Sequence, residues 1–328
     1  MTTIRIAPLF RGLFAALCFL AACPVWAQSA AFPAKPVRLV VGFPPGGAND
    51  ILARLFAAKL QEAWGQPFVV ENRPGANSII AVEYVAKSAP DGYTLLANAT
   101  GGMTVNPVLY SKLPYDTQRD FAPISMLASI PMVLVSNPVV PVHNVRELVA
   151  YANANPGKLN YSSGSSSFQV AAEMFNVMAG TNPIHVPFKG SVQSANAVLS
   201  GTTQLSLIDL PAVAAQIRAG KLRVMGLTTA KRLNTFPDLP TLDESGLTGY
   251  EMVLWNGLFA PAGTPADLVA KLSAEAQRVA RLPDINEKLV ALGMEAVGTT
   301  PEALAALIKR ELVLYGRVVK SRGIKAEQ

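Results

Sequence analysis

The chain has 328 residues, half of them hydrophobic and only 7% aromatic, with 28 Lys and Arg against 22 Asp and Glu and two cysteines. Its formal charge of +6 is spread without a basic run or basic-aromatic interleaving, which argues against a nucleic-acid groove and leaves a mild bias toward anionic ligands. No H-E-x-x-H and no carboxylate cluster occurs, so neither a metal nor any other cofactor is expected.

Residues 1–27 read as an export signal. Arg5 and Arg11 supply the positive charge, Gly12 to Ala22 the apolar core, and Val25-Trp26-Ala27 the small-x-small cleavage site. Cleavage after Ala27 removes Cys18 and Cys23, leaving an exported protein that relies on its core rather than on disulfides. Leu20-Ala21-Ala22-Cys23 also fits a lipobox, in which Cys23 becomes a lipidated first residue, although Pro24 directly after it favours cleavage at Ala27. No later run approaches the roughly 20 apolar residues a membrane span needs.

Val37 to Val41 is a short apolar run, followed by the loop Phe43-Pro44-Pro45-Gly46-Gly47-Ala48-Asn49-Asp50 and then Asp50 to Trp64 with apolar residues at helical spacing. A second strand starts at Phe68 to Val70, Asn72-Arg73-Pro74-Gly75 breaks it, Ser78 to Ser88 reads as helix, and Tyr93 to Ala97 is a third strand. This βαβαβ unit predicts a parallel sheet. After a connecting region around Ser129 to Asn137, strands are expected at Met132 to Val135, Leu159 to Tyr161, Ile184 to Val186, Gln204 to Ile208 and Leu222 to Leu227. One intervening helix opens at Asn144 with Glu147 in a capping box. A Pro/Gly-rich stretch from Phe236 to Gly249, a strand at Val253 to Phe259 and helices near Pro265 to Ala280, Asp284 to Leu292 and Pro301 to Arg322 close the chain. The length suits two α/β lobes, with residues 28–130 plus 252–328 in the first and 131–251 in the second.

In an open parallel sheet, ligands bind beyond the carboxyl ends of the strands. The Phe43–Asp50 loop follows the first strand and Asn98-Ala99-Thr100-Gly101-Gly102-Met103 the third. A 2-1-3 strand order makes them neighbours, with glycine-freed amides and a helix N-terminus suited to an anion. The first loop lacks the Lys-Ser/Thr ending of a P-loop and the G-x-G-x-x-G fingerprint, which disfavours nucleotides. Asp50 reads either as a helix cap or as a ligand contact, and Asn49 either as a turn residue or as an inward-facing amide. In the second lobe, Ser162-Ser163-Gly164-Ser165-Ser166-Ser167 joins a strand to a helix and offers hydroxyls and amides. Asp209, after another strand, reads as a polar ligand contact or a helix cap, and Lys189 as a carboxylate partner or a surface lysine. One helix terminus favours an anion by only about 0.3 to 1 kcal/mol, up to ~2 when partly buried. Micromolar binding needs about 8 kcal/mol, so several loops must act together.

Catalytic readings fare worse. Gly164 is followed by Ser165-Ser166-Ser167-Phe168, without the second glycine of a nucleophile elbow. The only histidines, His143 before a helix and His185 inside an apolar strand, suit solvated and packed positions better than a catalytic base.

Several segments resemble the Bug family, the TctC-like receptors of tripartite tricarboxylate transporters. They are Phe32-Pro33-Ala34-Lys35-Pro36-Val37-Arg38, the Phe43–Asp50 loop, Val70-Glu71-Asn72-Arg73-Pro74-Gly75 and Ala89-Pro90-Asp91-Gly92-Tyr93-Thr94-Leu95, followed by Asn106-Pro107 and Leu113-Pro114-Tyr115-Asp116. Asn155-Pro156-Gly157-Lys158-Leu159-Asn160-Tyr161, His185-Val186-Pro187-Phe188-Lys189-Gly190 and Gly257-Leu258-Phe259-Ala260-Pro261-Ala262-Gly263-Thr264-Pro265 continue the order. The resemblance implies a type II periplasmic-binding-protein fold: two α/β lobes that close on a ligand in the cleft between them. It also implies a periplasmic, monomeric receptor without catalytic residues that passes a small carboxylate (a di- or tricarboxylate, amino acid or aromatic acid) to membrane permease subunits. A sensor feeding a signalling partner is the alternative. The ligand residues it implies are Phe43, Gly46, Gly47, Ala48, Asn49, Asp50, Thr100, Gly101, Gly102 and Met103 in the first lobe, and Ser162, Gly164, Ser165, Ser166, Phe168 and Asp209 in the second. The family loop usually reads Ser-Ser-Gly-Asn-Gly-Thr-Ser; here it is shorter and lacks its second glycine, which brings Phe168 toward the ligand's distal half.

Overall fold

The computed structural model describes residues 32–325, so the signal segment with Cys18, Cys23 and Ala27 lies outside the described residues. From Lys35 onward the described residues form one compact unit built on two sheets. Strand β1 (Val37–Val41) leads into α1 (Ala48–Trp64), β2 (Phe68–Asn72), α2 (Ile79–Ala86) and β3 (Thr94–Ala99). Leu39 pairs in parallel with Val70 of β2 on one side and with Leu95 of β3 on the other, giving the expected 2-1-3 order. β1 is covered on both faces except at Arg38, which is why its other four residues are apolar and buried instead of alternating.

Beyond β3 the chain winds through Gly101–Val105 as a π-helical turn into α3 (Asn106–Leu109) and α4 (Thr117–Asp120). It then enters β4 (Phe121–Ile130), and the connecting region expected around Ser129 to Asn137 proves to be largely strand. β4 runs through Ile130, and only Pro131 separates it from β5 (Met132–Ser136) in the other sheet. Sequence periodicity missed β4 because both its faces are largely covered and its polar residues Ser125 and Ser129 are buried.

The second sheet takes its remaining strands from β6 (Asn160–Ser163), β7 (Ile184–Pro187), β8 (Leu205–Asp209) and β9 (Arg223–Leu227), in the order β7-β6-β8-β5-β9. Its helices are α5 (Val145–Ala154), α6 (Ser166–Ala179), α7 (Ser191–Leu199) and α8 (Leu210–Arg218). The Asn144 cap is present, with Glu147 N–H donating to Asn144 Oδ1 at 2.9 Å, but the Glu147 carboxylate reaches past the N-cap N–H of a capping box and accepts from the N–H of His143 at 2.7 Å and from Asn144 Nδ2 at 2.7 Å. The chain returns through β10 (Leu254–Pro261), which inserts antiparallel between β3 and β4. Helices α9 (Ala266–Ala280) and α10 (Pro283–Ala291), the short β11 (Glu295–Ala296) and α11 (Pro301–Arg322) follow. The six-stranded order is thus β11-β4-β10-β3-β1-β2.

Val40, Leu96, Met103, Trp255, Phe259, Leu304 and Ile308 form one core, uniting the first sheet, the π turn and α11. The end of α11 also reaches the second sheet's layer. Arg322 donates to Glu173 of α6 at 2.9 Å and to Asn182 at 3.0 Å, and Glu173 accepts the Tyr161 hydroxyl at 2.7 Å.

Candidate functional site: two loops and a serine segment

Helix α1 opens at its N-cap Gly47, whose φ of −80° and ψ of 169° are extended, and Ile51 makes the first helical bond back to the Gly47 carbonyl at 3.0 Å. The N–H groups of Gly47, Ala48 and Asn49 therefore have no acceptor within the helix and sit at its positive end. Asp50, buried one residue later, gives the loop its shape. Its carboxylate accepts from Gly46 N–H at 2.9 Å, Asn72 Nδ2 at 2.8 Å and Arg54 Nε at 3.0 Å, while Asn72 also donates to the Phe43 carbonyl at 3.0 Å. Burial pushes the Asp50 carboxyl up, but the bonds from Arg54, Gly46 and Asn72 outweigh it and hold the carboxyl below its usual range. Asp50→Asn is expected to lower stability at pH 7 by about 2 kcal/mol, the scale of a hydrogen bond to a charged group. The wild-type advantage is complete above the ordinary Asp value of 3.8 and fades as the pH falls through the lowered one, so denaturant midpoints of the two proteins should converge in acid.

The second loop is anchored on all sides. Thr100 Oγ1 accepts from Trp255 N–H at 2.8 Å, and the Gly102 carbonyl accepts the Tyr115 hydroxyl at 2.6 Å. Thr104 Oγ1 lies 3.0 Å from the Thr100 carbonyl and 2.9 Å from the Glu311 carboxylate. Gly101, Gly102 and Met103 are buried. A Cβ on Gly102 would collide with Asn98 Nδ2 and Ser78 Oγ, so the turn depends on glycine there for space. Ser78 closes a left-handed run of Ala76, Asn77 and Ser78 with φ of 47°, 49° and 71°, where the sequence suggested the start of a regular helix. Such residues are strained and persist only where their surroundings hold them. Here Asn106 Nδ2 donates to the Asn77 carbonyl at 2.8 Å and Asn98 Nδ2 to Ser78 Oγ at 3.2 Å.

The serine segment divides in two. Ser162 is buried inside the second sheet's layer, its hydroxyl bonded to the Ser194 carbonyl at 3.1 Å. Ser163 lies 2.7 Å from His185 Nε2, and His185 stacks on Tyr161, so this histidine is packed as the sequence suggested. Gly164 passes against Gly190 and Ser191, and Gly190 N–H donates to the Gly164 carbonyl at 3.0 Å. Ser165 is the N-cap of α6, and Ser166, Ser167 and Phe168 are buried in its first turn. Asp209 is buried at the end of β8 as the N-cap residue of α8, yet its side chain makes no cap bond, and its Oδ1 has no hydrogen-bond partner. Burial pushes its carboxyl above the usual range, against a hydrogen bond with Ser191. Lys189 is exposed.

These segments meet. Asn256 Nδ2 of β10 donates to Asn49 Oδ1 at 2.6 Å, tying the first loop to the strand that borders the second. Ser166 Oγ donates to Asn106 Oδ1 at 3.2 Å, and a Cβ on Gly101 would lie 3.0 Å from Ser167 Oγ, so the start of α6 abuts the second loop. The buried oxygens Oδ1 of Asn98 and Oδ1 of Asn256 are left without partners in the same region. Sequence reading passed over Ser78, Asn256 and Glu311. Asn256 had a signal, a carboxamide inside an apolar strand, whereas Ser78 and Glu311 join the site only through tertiary contacts. Among the described residues no cluster of His, Cys, Asp and Glu suits a metal.

Two mixed α/β sheets, joined at Pro131 and by the return of the chain into β10, with glycine-rich strand-to-helix loops facing a serine-rich helix start, define a two-lobed solute-binding protein. The chain matches the tripartite tricarboxylate transporter family receptor model over residues 52–324 and belongs to that family. It is similar to BugT of Bordetella pertussis, at 33% identity over 96% of each chain. It resembles the solved structure of Rpa4515 from R. palustris with adipate, at 35% identity and a TM-score of 0.84 over 90% of this chain and 99% of that one. MatC from Rhodopseudomonas palustris with bound malate is similar at 31% identity and a TM-score of 0.80, over 88% and 100% of the two chains. The matching family is one of receptors.

Proposed function

We propose that the protein is an extracytoplasmic receptor that captures a small carboxylate and passes it unchanged to the permease subunits of a tripartite transporter. Two contacts support this reading: Asn49–Asn256 ties the start of α1 to the strand beside β3 and its turn, and Ser166–Asn106 ties the start of α6 to the helix that follows the Thr100–Met103 turn. Backbone N–H groups at helix starts favour anions, and two related proteins are named with the dicarboxylates adipate and malate. The same reading assigns residues 1–27 to a signal removed after Ala27, with lipidation at Cys23 as the alternative anchor. It places the lobe boundaries at 130/131 and 251/252, so that hinge motion there opens and closes the site on a ligand. The receptor works as a monomer.

The test is calorimetric titration of the purified protein with adipate and malate, followed by mass spectrometry of whatever denaturation releases. Dissociation constants in the micromolar range or tighter, with the ligand recovered intact, are expected. A chemically altered ligand, or binding of neither carboxylate together with recovery of a non-acidic ligand, would sink the proposal.

A further inference from the structure

The second loop rests on a buried carboxylate from the far end of the chain. Glu311 of α11 is 6% exposed and accepts the Trp255 indole N–H at 3.0 Å and 2.9 Å, one distance to each oxygen. It also lies 2.9 Å from Thr104 Oγ1 and bonds the Tyr315 phenol. Thr104 Oγ1 is simultaneously 3.0 Å from the carbonyl of Thr100, the residue at which the loop begins. A hydroxyl has a single proton to donate. When Glu311 is ionised it accepts that proton, and the Thr100 carbonyl loses its bond from Thr104. When Glu311 is protonated it becomes the donor to Thr104 Oγ1, and the hydroxyl is free to hold the Thr100 carbonyl. The indole, a donor only, is satisfied by the other carboxyl oxygen in either state.

We infer that Glu311 is a positioning residue whose protonation sets the conformation and the field of the Thr100–Met103 loop, so that the site takes a carboxylate more tightly as the pH falls. This rests on the reading of that loop as part of the carboxylate site. Two effects act in the same direction. Protonation restores the Thr104 bond to the base of the loop, and it removes a negative charge from beneath a site for anions, where low dielectric magnifies repulsion.

The environment of Glu311 places its titration in an accessible range. Burial raises its carboxyl, against bonds from Trp255, Thr104 and Tyr315 and the charge of Arg310, to about 7. The π turn, α3, β4 and β10, which surround it, carry no ionisable residue. The titratable groups around it are Arg310 and Tyr315 on α11 itself, Tyr250 beyond Tyr315, and Glu173 on α6, already bonded to Tyr161 and Arg322.

The experiment titrates wild type, Glu311→Gln and Thr104→Val with adipate and malate between pH 6 and 8 by calorimetry. In parallel, it follows the amide resonances of residues 101–105 and the Trp255 indole resonance without ligand. Wild-type affinity should fall at least about fivefold over that range, the lower end of a typical coupling. Glu311→Gln, a neutral isostere that accepts from Trp255 and donates to Thr104, should bind as wild type does at pH 6 and show no slope. Thr104→Val, which keeps the buried charge, should retain only part of the slope. A flat wild-type profile with measurable binding overturns the inference, as does an unchanged slope in Glu311→Gln. If neither carboxylate binds, the proposed ligand class fails separately, and the resonances decide on Glu311. Loop amides that shift with a midpoint near 7 in wild type and stand still in Glu311→Gln support the coupling, and loop amides unmoved by pH overturn it.

Discussion

Gly164→Ala is expected to cost about 3 kcal/mol of stability, at the top of the range for overpacking in a close-packed interior. The added Cβ would lie 2.5 Å from the Gly190 carbonyl oxygen and 2.8 Å from Ser191 N, against backbone instead of a side-chain end that could swing away. Relief requires β6 and the turn before α7 to separate, which breaks the bond from Gly190 N–H to the Gly164 carbonyl at 3.0 Å. Urea unfolding should show a lower midpoint with an unchanged slope. Carboxylate affinity should fall as well, because the same displacement moves Ser165 to Ser167. Gly316→Ala is the matched control. That glycine lies inside α11 with 3.6 Å between the new Cβ and Val108 Cγ1, so helix propensity should leave the protein equal or stabilised by up to about 1 kcal/mol. An equal effect of the two substitutions would refute the steric account.

The largest effect on binding is expected at Gly47, where replacement by proline should weaken carboxylate affinity at least about tenfold while leaving the fold intact. Proline fixes φ near −65°, close to the −80° observed, and removes the N–H. The position has room, the nearest atom to a new Cβ being the Pro44 carbonyl oxygen at 3.8 Å. Gly47→Ala keeps the N–H in the same conformation and should bind within about twofold of wild type, so the pair isolates one amide from the shape of the loop. A tenfold loss corresponds to about 1.4 kcal/mol, in the range of a single hydrogen bond to a charged group. Calorimetry with adipate and malate reads the difference, and circular dichroism verifies the fold. Equal affinities for the two variants would remove Gly47 from the site.

Much of the architecture was legible from local pattern. The largely apolar run Val37 to Val41, the helical spacing after Asp50 and the strand pattern of Tyr93 to Ala97 specify a parallel βαβαβ unit, since burial on both faces leaves its mark directly on composition. The Asn144 cap was legible for the same reason, because its partner lies three residues away. β4 was not, since its polar residues are buried by elements distant in sequence. Nor was the left-handed run at Ala76 to Ser78, at whose last residue the sequence suggested a helix start; bonds from Asn106 to the Asn77 carbonyl and from Asn98 to Ser78 hold the strained backbone.

The candidate site divides along the same line. The sequence by itself marked the loops whose glycines and helix starts leave backbone amides without local acceptors, because those features are created locally. Tertiary structure decided what those loops rest on and which neighbours they meet. Asp50 turns inward to hold Gly46, Asn72 and Arg54, and Ser162 belongs to the interior. Asn256 bridges to Asn49 across 207 positions, and Glu311 reaches Thr104 across the same separation. Contacts of that range leave no periodicity, since hydrogen bonding and burial act through space and depend only on how the sheets and α11 pack.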